Sequence, residues 1–451
     1  MVNPGSGFFC KVNKYFGTDG IRGAYGSKII NEGFVQQVGL AIGKFLKERT
    51  GPNPMILVGG DTRPSGPSLQ KSLTIGLNSA GIRVLDCGVV PSPALAFGVK
   101  FKKADFGVML TASHNQHSDN GIKCFSRNGT KLSLEEELHL EEIIDQAQSF
   151  VSSTDASQPF DLLDDYRSFV RNLFPQKSFS GLKIVLDLAN GATSQTAPKI
   201  FEQMGASVSC IHQGDGLINE QCGSEHLGSL QKLVKNKGAD LGIAHDGDGD
   251  RLRLIDNQGV EVDGDQVLGI LALHAQKNGR LNNSTFVTTI HSNSGLQHSL
   301  LKNGIDLLRS DVGDRQVALK MSKAGANWGG ESSGHIIATD YLPTGDGLIA
   351  ALLMALAMYE TNATIRELAN EISLWPSLHE SFLVREKIPV NEIPSLREIL
   401  KSEQSKVGNN GRILLRYSGT EPKIRLLVEG REKIWVKSTF NLFQKFIQKS
   451  L

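Results

Sequence analysis

The sequence predicts an α/β protein. It reads as three related α/β domains with mixed, mostly parallel sheets, plus a smaller C-terminal α+β domain, around a central cleft. Three observations predict this. One outline recurs three times: an apolar strand, a Gly/Asn/Ser-rich turn, a helix-length segment, then a small-residue turn into another strand. Each copy ends in an unusual polar loop, and the C-terminal tail lacks the outline. A length of 451 residues accommodates two to four domains, at about 100–200 residues each.

The first copy runs Met55-Ile-Leu-Val-Gly-Gly-Asp-Thr-Arg-Pro and later Ala80-Gly-Ile-Arg-Val. The second runs Lys183-Ile-Val-Leu-Asp-Leu-Ala-Asn-Gly-Ala and later Met204-Gly-Ala-Ser-Val. The third runs Ser284-Thr-Phe-Val-Thr-Thr-Ile-His-Ser-Asn and later Asn303-Gly-Ile-Asp-Leu. Ala104-Asp-Phe-Gly, Ala239-Asp-Leu-Gly and Ala326-Asn-Trp-Gly then each introduce a short strand. The loops that follow are Thr111-Ala-Ser-His-Asn, His245-Asp-Gly-Asp-Gly-Asp-Arg and Gly330-Glu-Ser-Ser-Gly-His. If the copies are structurally equivalent, these loops leave corresponding strand ends, where ligands of open α/β sheets gather.

Polar Ser152-Ser-Thr-Asp-Ala-Ser-Gln-Pro reads as a linker near residue 157. The Asn257-Gln-Gly turn with Asp263-Gly-Asp marks a boundary near 260, and Trp375-Pro-Ser marks a third. The expected domains are therefore 1–157, 158–260, 261–375 and 376–451. In the last, Arg412-Ile-Leu-Leu and Ile424-Arg-Leu-Leu-Val read as strands on either side of Arg416-Tyr-Ser-Gly-Thr-Glu-Pro.

Hydrophobic residues make up 39% and charged residues 21%, ordinary globular usage that excludes wholesale disorder. A net charge of +1 leaves no electrostatic footprint for nucleic acid or an anionic membrane, although a small local anion is still accommodated. The longest apolar stretch, Gly347 to Tyr359, is 13 residues. A membrane span needs about 20, so a buried core helix is expected. No secretory signal is read in Met1 to Lys14, and that stretch is assigned no role. Cys10, Cys87, Cys124, Cys210 and Cys222 are odd in number and form no C-x-x-C pair, which suits reduced thiols in a cytoplasmic enzyme.

The loops carry the chemistry. Asp246, Asp248 and Asp250 alternate with glycines. Three carboxylates this close repel one another unless a cation sits among them, and hard oxygen ligands favour Mg²⁺ or Ca²⁺. An EF-hand is excluded because Arg251 stands at its sixth position and Asn257 at its twelfth. Ser113, beside His114 at a strand end, is a nucleophile or phosphate carrier, or else a helix N-cap or hydroxyl turn. Lys123 would return to the same rim if the segment turns; alone it reads as a surface lysine. Glu331, Ser332, Ser333 and His335 suit a sugar's hydroxyls or amine. Arg416, Ser418, Gly419 and Thr420, with Arg425 adding charge, make either a phosphate nest or an ordinary hairpin. Arg22 lies in a glycine-rich turn of the same ambiguity. No Walker or dinucleotide fingerprint is present, so ATP- or NAD-dependent chemistry has no support. Phosphoryl transfer to and from a serine on a phosphosugar uses all four remaining features.

Five motifs, in this order, carry a family resemblance: Phe16-Gly-Thr-Asp-Gly-Ile-Arg-Gly, Thr111-Ala-Ser-His-Asn, Asp246-Gly-Asp-Gly-Asp-Arg, Gly330-Glu-Ser-Ser-Gly-His and Arg416-Tyr-Ser-Gly-Thr-Glu-Pro. Over nearly its whole length the sequence resembles the α-D-phosphohexomutase superfamily, and within it the bacterial phosphoglucosamine mutases. The resemblance implies that Ser113 is the phosphoserine and that Asp246, Asp248 and Asp250 bind one Mg²⁺ with an oxygen from Ser113. It implies a bisphosphorylated sugar that turns over in the cleft, with a hexose 1,6-bisphosphate as an activator. Arg22, Lys123 and Arg251 match positions near the reacting phosphate. Lys123, His114 and His335 are the candidates for proton transfer, and His335 can instead only contact substrate. Glu331, Ser333 and His335 would hold the sugar, while Arg416, Ser418, Gly419, Thr420 and Arg425 would hold the phosphate that is not reacting. The partner implied is a small phosphosugar, with neither nucleic acid nor membrane, and a homodimer is left open.

The implied reaction is interconversion of glucosamine 6-phosphate and glucosamine 1-phosphate, on the route to UDP-N-acetylglucosamine and peptidoglycan precursors. Ser332 departs from the pattern: phosphoglucosamine mutases usually have Gln there, and phosphomannomutase/phosphoglucomutase relatives Met. Two rival readings stay open. One is a phosphomannomutase or phosphoglucomutase. The other is a non-catalytic sugar-phosphate sensor, against which the intact Ser113 and three-aspartate loop argue.

Overall fold

The structure is a computed structural model that describes residues 13–51, 53–147, 155–176, 178–418 and 422–450. The chain divides into two compact units. One runs to Ile290 and resumes over Leu308–Ala369; the other takes His291–Leu307 and the chain from Asn370 onward.

The first repeat forms β1 (Ile21–Ala24), α1 (Glu32–Lys47), β2 (Met55–Gly60), α2 (Gly66–Ser79) and β3 (Arg83–Val89). It continues with α3 (Ser92–Phe101), β4 (Phe106–Leu110), β5 (Asp119–Ser126) and α4 (Leu134–Gln146). A short edge strand, β6 (Gln158–Pro159), completes a six-stranded sheet in the order β1-β5-β4-β2-β3-β6. Its helices begin where local chemistry supplies acceptors: Asn31 takes the Phe34 amide at 3.0 Å, and Ser133 with Glu136 forms a capping box. Val35, Val38, Leu73 and Leu77 of α1 and α2 bury their side chains with Ile56, Val58 and Val108 of the sheet. Gln158 and Pro159, read in the sequence as linker, instead pair with Leu85 and Asp86. An edge position tolerates proline because its nitrogen has no proton to donate.

The second repeat forms α5 (Leu163–Asn172), β7 (Lys183–Asp187), α6 (Ala197–Gln203), β8 (Ser207–Ile211) and α7 (Gly228–Lys237). Then come β9 (Leu241–His245), β10 (Leu252–Asp256) and β11 (Glu261–Val262), in a sheet ordered β11-β10-β9-β7-β8. The third forms α8 (Gly264–Lys277), β12 (Thr285–Thr289), α9 (Ser294–Lys302), β13 (Asp306–Ser310) and α10 (Asp314–Ala324). It ends with β14 (Trp328–Gly330), β15 (Ile336–Ala338), α11 (Gly347–Thr361) and α12 (Ile365–Asn370), the sheet order being β13-β12-β14-β15.

The three sheets repeat one wiring: β5-β4-β2-β3, β10-β9-β7-β8 and β15-β14-β12-β13. In each, the fourth strand of this wiring in chain order, β5, β10 or β15, folds back antiparallel on the one before it. The three polar loops are therefore topological equivalents, each joining the third strand to its antiparallel successor. Helix α11 is the apolar stretch seen in the sequence, buried from Gly347 to Met358. Asp346 caps it by accepting from the Leu348 and Ile349 amides at 2.9 and 3.0 Å. Among the described residues no helix is long and apolar enough to cross a membrane.

The second unit is built on β16 (Ser377–Leu383), α13 (Pro394–Val407), β17 (Gly411–Tyr417), β18 (Lys423–Gly430) and α14 (Lys433–Ser450). The strands form a fully antiparallel sheet, β16-β18-β17. Leu396 of α13 and Phe440 and Phe443 of α14 bury themselves with Ile424, Leu426 and Val428, so the C-terminal domain is α+β. Helix α9 also belongs to this unit: Glu429 accepts from the Ser294 amide at 2.9 Å and from Arg412 Nε at 2.5 Å.

Candidate functional site

In the β4–β5 loop no helix follows Ser113, so it is not a cap. Ser113 is fully buried and has a φ of 52°, a left-handed conformation uncommon for serine. Its amide donates to Thr111 Oγ1 at 2.8 Å, and that hydroxyl donates to Asp61 Oδ2 at 2.6 Å. Buried Arg63 donates to the carbonyls of Ser113, Asn115, Gln116 and Asp119 at 3.0, 2.8, 2.5 and 2.8 Å. Asn219, from the second domain, reaches the Ser113 and Asn115 carbonyls at 2.7 and 2.9 Å. Sequence reasoning missed both Arg63 and Asn219. An Asp-x-Arg directly after a wholly apolar strand was the available signal for Arg63; Asn219 had none.

With its backbone so held, the Ser113 hydroxyl donates to Asp246 Oδ2 at 2.6 Å. His114 Nδ1 lies 3.3 Å from Ser113 Oγ. Burial, aided by Arg251, pushes His114 down to about 4, so the ring is neutral at pH 7.

Asp246, Asp248 and Asp250 converge in the β9–β10 loop, with one oxygen of each within 4.8 Å of the others. Gly249 permits this at a φ of 74°, where a Cβ would also stand 2.4 Å from Thr193 Cγ2. Ser92, at the start of α3, donates to Asp248 Oδ2 at 2.5 Å. Lys123 on β5 returns to this rim as anticipated: Nζ lies 2.7 Å from Asp248, 2.8 Å from Asp250 and 3.0 Å from Asp19. Burial alone would discharge Lys123, but the three carboxylates outweigh it and hold the ammonium charged. Burial and repulsion from Asp250 and Asp248 push Asp246 well above the usual carboxylate range. Asp248 Oδ1 and Asp250 Oδ1 are buried without a hydrogen-bond donor. Orphaned carboxylate oxygens with an excess of negative charge are what a hard divalent cation requires, so the residues fit such an ion.

The β14–β15 loop contributes Glu331, whose Oε1 accepts from the Gly313 amide at 3.0 Å, and His335. His335 lies 3.7 Å from Asp250 Oδ1 and 3.4 Å from Asp314 Oδ2. Burial would lower its pKa, but these carboxylates raise it. The second and third loops are stitched by a bridge between Arg251 and His335 and by Leu252 N–H donating to the Gly334 carbonyl at 3.2 Å. Arg22 on β1 and Lys131 both pair with Asp19, and Lys131 also pairs with Asp314. Gly20, φ 82°, lets this turn lie against β5: a Cβ there would stand 2.3 Å from the Ile122 carbonyl oxygen.

Residues of all three α/β domains thus line one cavity of about 370 Å³, with Arg22, His114, Asp250, Arg251, Glu331 and His335 on its walls. Ser113, Lys123, Asp246 and Asp248 are buried and outside that lining. Ser333 is half-buried and also outside it.

In the second unit, Arg416 stands on β17 directly opposite Arg425 on β18, so both lie on the strands of a hairpin rather than in its turn. Arg416 Nη2 lies 2.7 Å from His291 Nε2. Burial, with Arg416, Arg412 and Arg425 adding, pushes His291 down to about 4, so its ring accepts from Arg416. His291, which ends the third repeat's opening strand motif, was not anticipated. The Ser418 carbonyl accepts from Lys387 Nζ at 2.8 Å. Gly419 and Thr420 lie outside the described residues.

Four family descriptions match in chain order. They are the phosphoglucomutase/phosphomannomutase alpha/beta/alpha domain I (residues 13–150), domain II (164–259), domain III (263–374) and C-terminal domain (383–442). The chain belongs to the phosphoglucomutase/phosphomannomutase family. Members of this phosphohexomutase family that it resembles include a phosphoglucosamine mutase of Methylobacillus flagellatus, 41% identical over 93% of this chain and 95% of that one. Another, from Syntrophotalea carbinolica, is 39% identical over 93% of this chain and 94% of that one. The fold is shared with a phosphoglucomutase/phosphomannomutase family protein of Burkholderia thailandensis (TM-score 0.79, 21% identity, 96% and 97% of the two chains). As a phosphohexomutase, the protein is an isomerase.

Proposed function

We propose that this phosphohexomutase interconverts glucosamine 6-phosphate and glucosamine 1-phosphate in the cytoplasm, with Ser113 carrying the phosphoryl group. The observation that supports this most is the placing of Ser113 Oγ, 2.6 Å from Asp246 in a three-carboxylate cluster beside the cavity. The sugar follows from likeness to phosphoglucosamine mutases along nearly the whole chain.

In the forward direction, the P–O bond to Ser113 breaks as a bond forms to the free hydroxyl of the bound sugar phosphate. The hydroxyl's proton passes to His114 or His335, the imidazoles on the cavity wall. The released Ser113 oxygen takes up a proton from His114, whose Nδ1 lies 3.3 Å from it, and the second transfer reverses both proton movements. The resulting bisphosphate turns over, its other phosphoryl group returns to Ser113, and the isomer leaves. Lys123, its charge held by three carboxylates, and the guanidiniums of Arg22 and Arg251 stabilise negative charge at the phosphoryl oxygens. Glu331, Ser333 and His335 orient the sugar; Arg416, Ser418, Gly419, Thr420 and Arg425 hold the phosphate that is not reacting. One Mg²⁺ bound by Asp246, Asp248, Asp250 and a Ser113 oxygen would neutralise further charge on the transferring group. A hexose 1,6-bisphosphate would prime unphosphorylated Ser113 by donating one phosphoryl group and leaving as a monophosphate.

The test compares kcat/KM for glucosamine, glucose and mannose phosphates. The glucosamine pair should lead; preference for mannose 1-phosphate would replace this reading with a phosphomannomutase.

A further inference from the structure

Beyond the cavity, the second domain gathers a different set of donors. Asp187 ends β7, His212 follows β8, and Cys222 closes the loop that comes after. An oxygen, a ring nitrogen and a sulfur from these three residues lie within 4.8 Å of one another. Asp187 has no exposed surface. Its Oδ1 accepts from the Ala189 amide at 3.0 Å, whereas Oδ2 receives no directed hydrogen bond. His212 Nδ1 stands 3.0 Å from that oxygen and is likewise without a hydrogen-bond partner. Two buried polar atoms face each other, then, without the alignment a hydrogen bond needs. Ligands sharing one tetrahedral zinc, at bonds of about 2.0–2.1 Å, sit about 3.3 Å apart in this manner.

We propose that Asp187, His212 and Cys222 bind one zinc ion, separate from the three-aspartate cluster. The donor set selects the metal. A thiolate and an imidazole disfavour Mg²⁺ and Ca²⁺ and suit Zn²⁺, while three protein ligands leave a fourth position for water. The His212 side chain is 27% exposed, so the site lies close to the surface. On binding, the Cys222 thiol gives its proton to solvent and forms a Zn–S bond. The ion would staple the loop between His212 and Cys222 to β7. That loop carries Asn219, which holds the Ser113 carbonyl at 2.7 Å, so the staple bears on the nucleophile loop without touching substrate.

The test uses full-length protein stripped with a chelator, saturated with Mg²⁺ to occupy the oxygen-only site, and titrated with Co²⁺ as the optical probe for zinc. One equivalent should bind with a sulfur-to-cobalt charge-transfer band, and Zn²⁺ should abolish the band by displacement. Cys222→Ser should remove the band, Cys210→Ser should keep it, and His212→Gly should weaken Co²⁺ binding at least tenfold. Glycine adopts the φ of 50° seen at His212 without strain, so His212→Gly decides the matter even if Cys222→Ser does not fold. No band in the folded wild-type protein, a band surviving Cys222→Ser, or affinity unchanged in His212→Gly would each overturn the proposal.

Discussion

Arg63 Nη2 donates to the Ser113 carbonyl at 3.0 Å, from a guanidinium with a fully buried side chain. Three further carbonyls of the same loop converge on it, and Nε pairs with Asp61 at 3.1 Å. Asp61, pushed up to about 6 by burial, depends on Arg63 to stay ionised. Arg63→Met strands that carboxylate and frees the loop. It should cost about 3–5 kcal/mol of stability, the usual result of breaking a buried ion pair. Arg63→Lys should retain charge but not the fork that spans four carbonyls, so kcat should fall more than KM rises. Urea unfolding and steady-state kinetics read both. A wild-type unfolding midpoint in Arg63→Met would contradict this account.

Ser113→Ala removes the phosphoryl carrier while leaving the cavity walls in place, since the serine is not part of the lining. Turnover should drop by on the order of 10³-fold or more, the scale seen when a nucleophile is deleted. Sugar phosphate should still bind within about threefold of wild type by calorimetry. Intact-mass analysis should show a phosphate on wild type, mapped to Ser113, and none on the variant. Undiminished turnover would mean that another group carries the phosphoryl.

Chelation tests the three-aspartate cluster. Removing divalent cations should lower turnover by about 10³-fold, the several kcal/mol such an ion supplies to charge stabilisation, and Mg²⁺ should restore it. Asp248→Asn removes the charge of the carboxylate whose Oδ2 takes both Lys123 and Ser92. Its activity should recover only at much higher Mg²⁺. Full activity in the presence of a strong chelator would refute the role of the cluster.

The strands and the three loops were legible because they rest on local signals: apolar runs, alternating Asp-Gly, a hydroxyl beside an imidazole. Lys123 was legible in part: its return to the rim was expected from a turn at Asn120-Gly121, but those residues lie within β5, and the chain reverses before them. Arg63, Asn219, Asp19 and His291 were not. Arg63 and Asp19 pair locally with Asp61 and Arg22, but the other groups they hold are brought to them by tertiary packing, as Asn219 is to Ser113 across 106 residues and His291 to Arg416 across 125, and no local pattern encodes those distances. Gln158 and Pro159 misled for a related reason: a polar, proline-bearing stretch looks like linker, and only the neighbouring β3 edge turns it into a strand.

His291 gives the second unit a pH dependence of defined sign. The groups facing it are Arg416, Arg412, Arg425 and His379, and with burial they hold its pKa at about 4 against an ordinary 6.5. Between pH 6.5 and 4 the unfolded chain binds a proton at this position and the folded chain does not, so stability falls as pH falls and levels off below about 4. The full shift would correspond to about 3 kcal/mol, but the ring is only half-buried among solvated cations, and about 1–2 kcal/mol is expected. His291→Gln keeps an acceptor for Arg416 and removes the titration. Urea unfolding of the wild type should therefore lose this increment between pH 7 and pH 4.5 relative to the variant. Inorganic phosphate should narrow the gap, because an anion among Arg412, Arg416 and Arg425 reverses the field that depresses the ring. If both proteins lose stability equally over this range, with and without phosphate, His291 is not the group responsible.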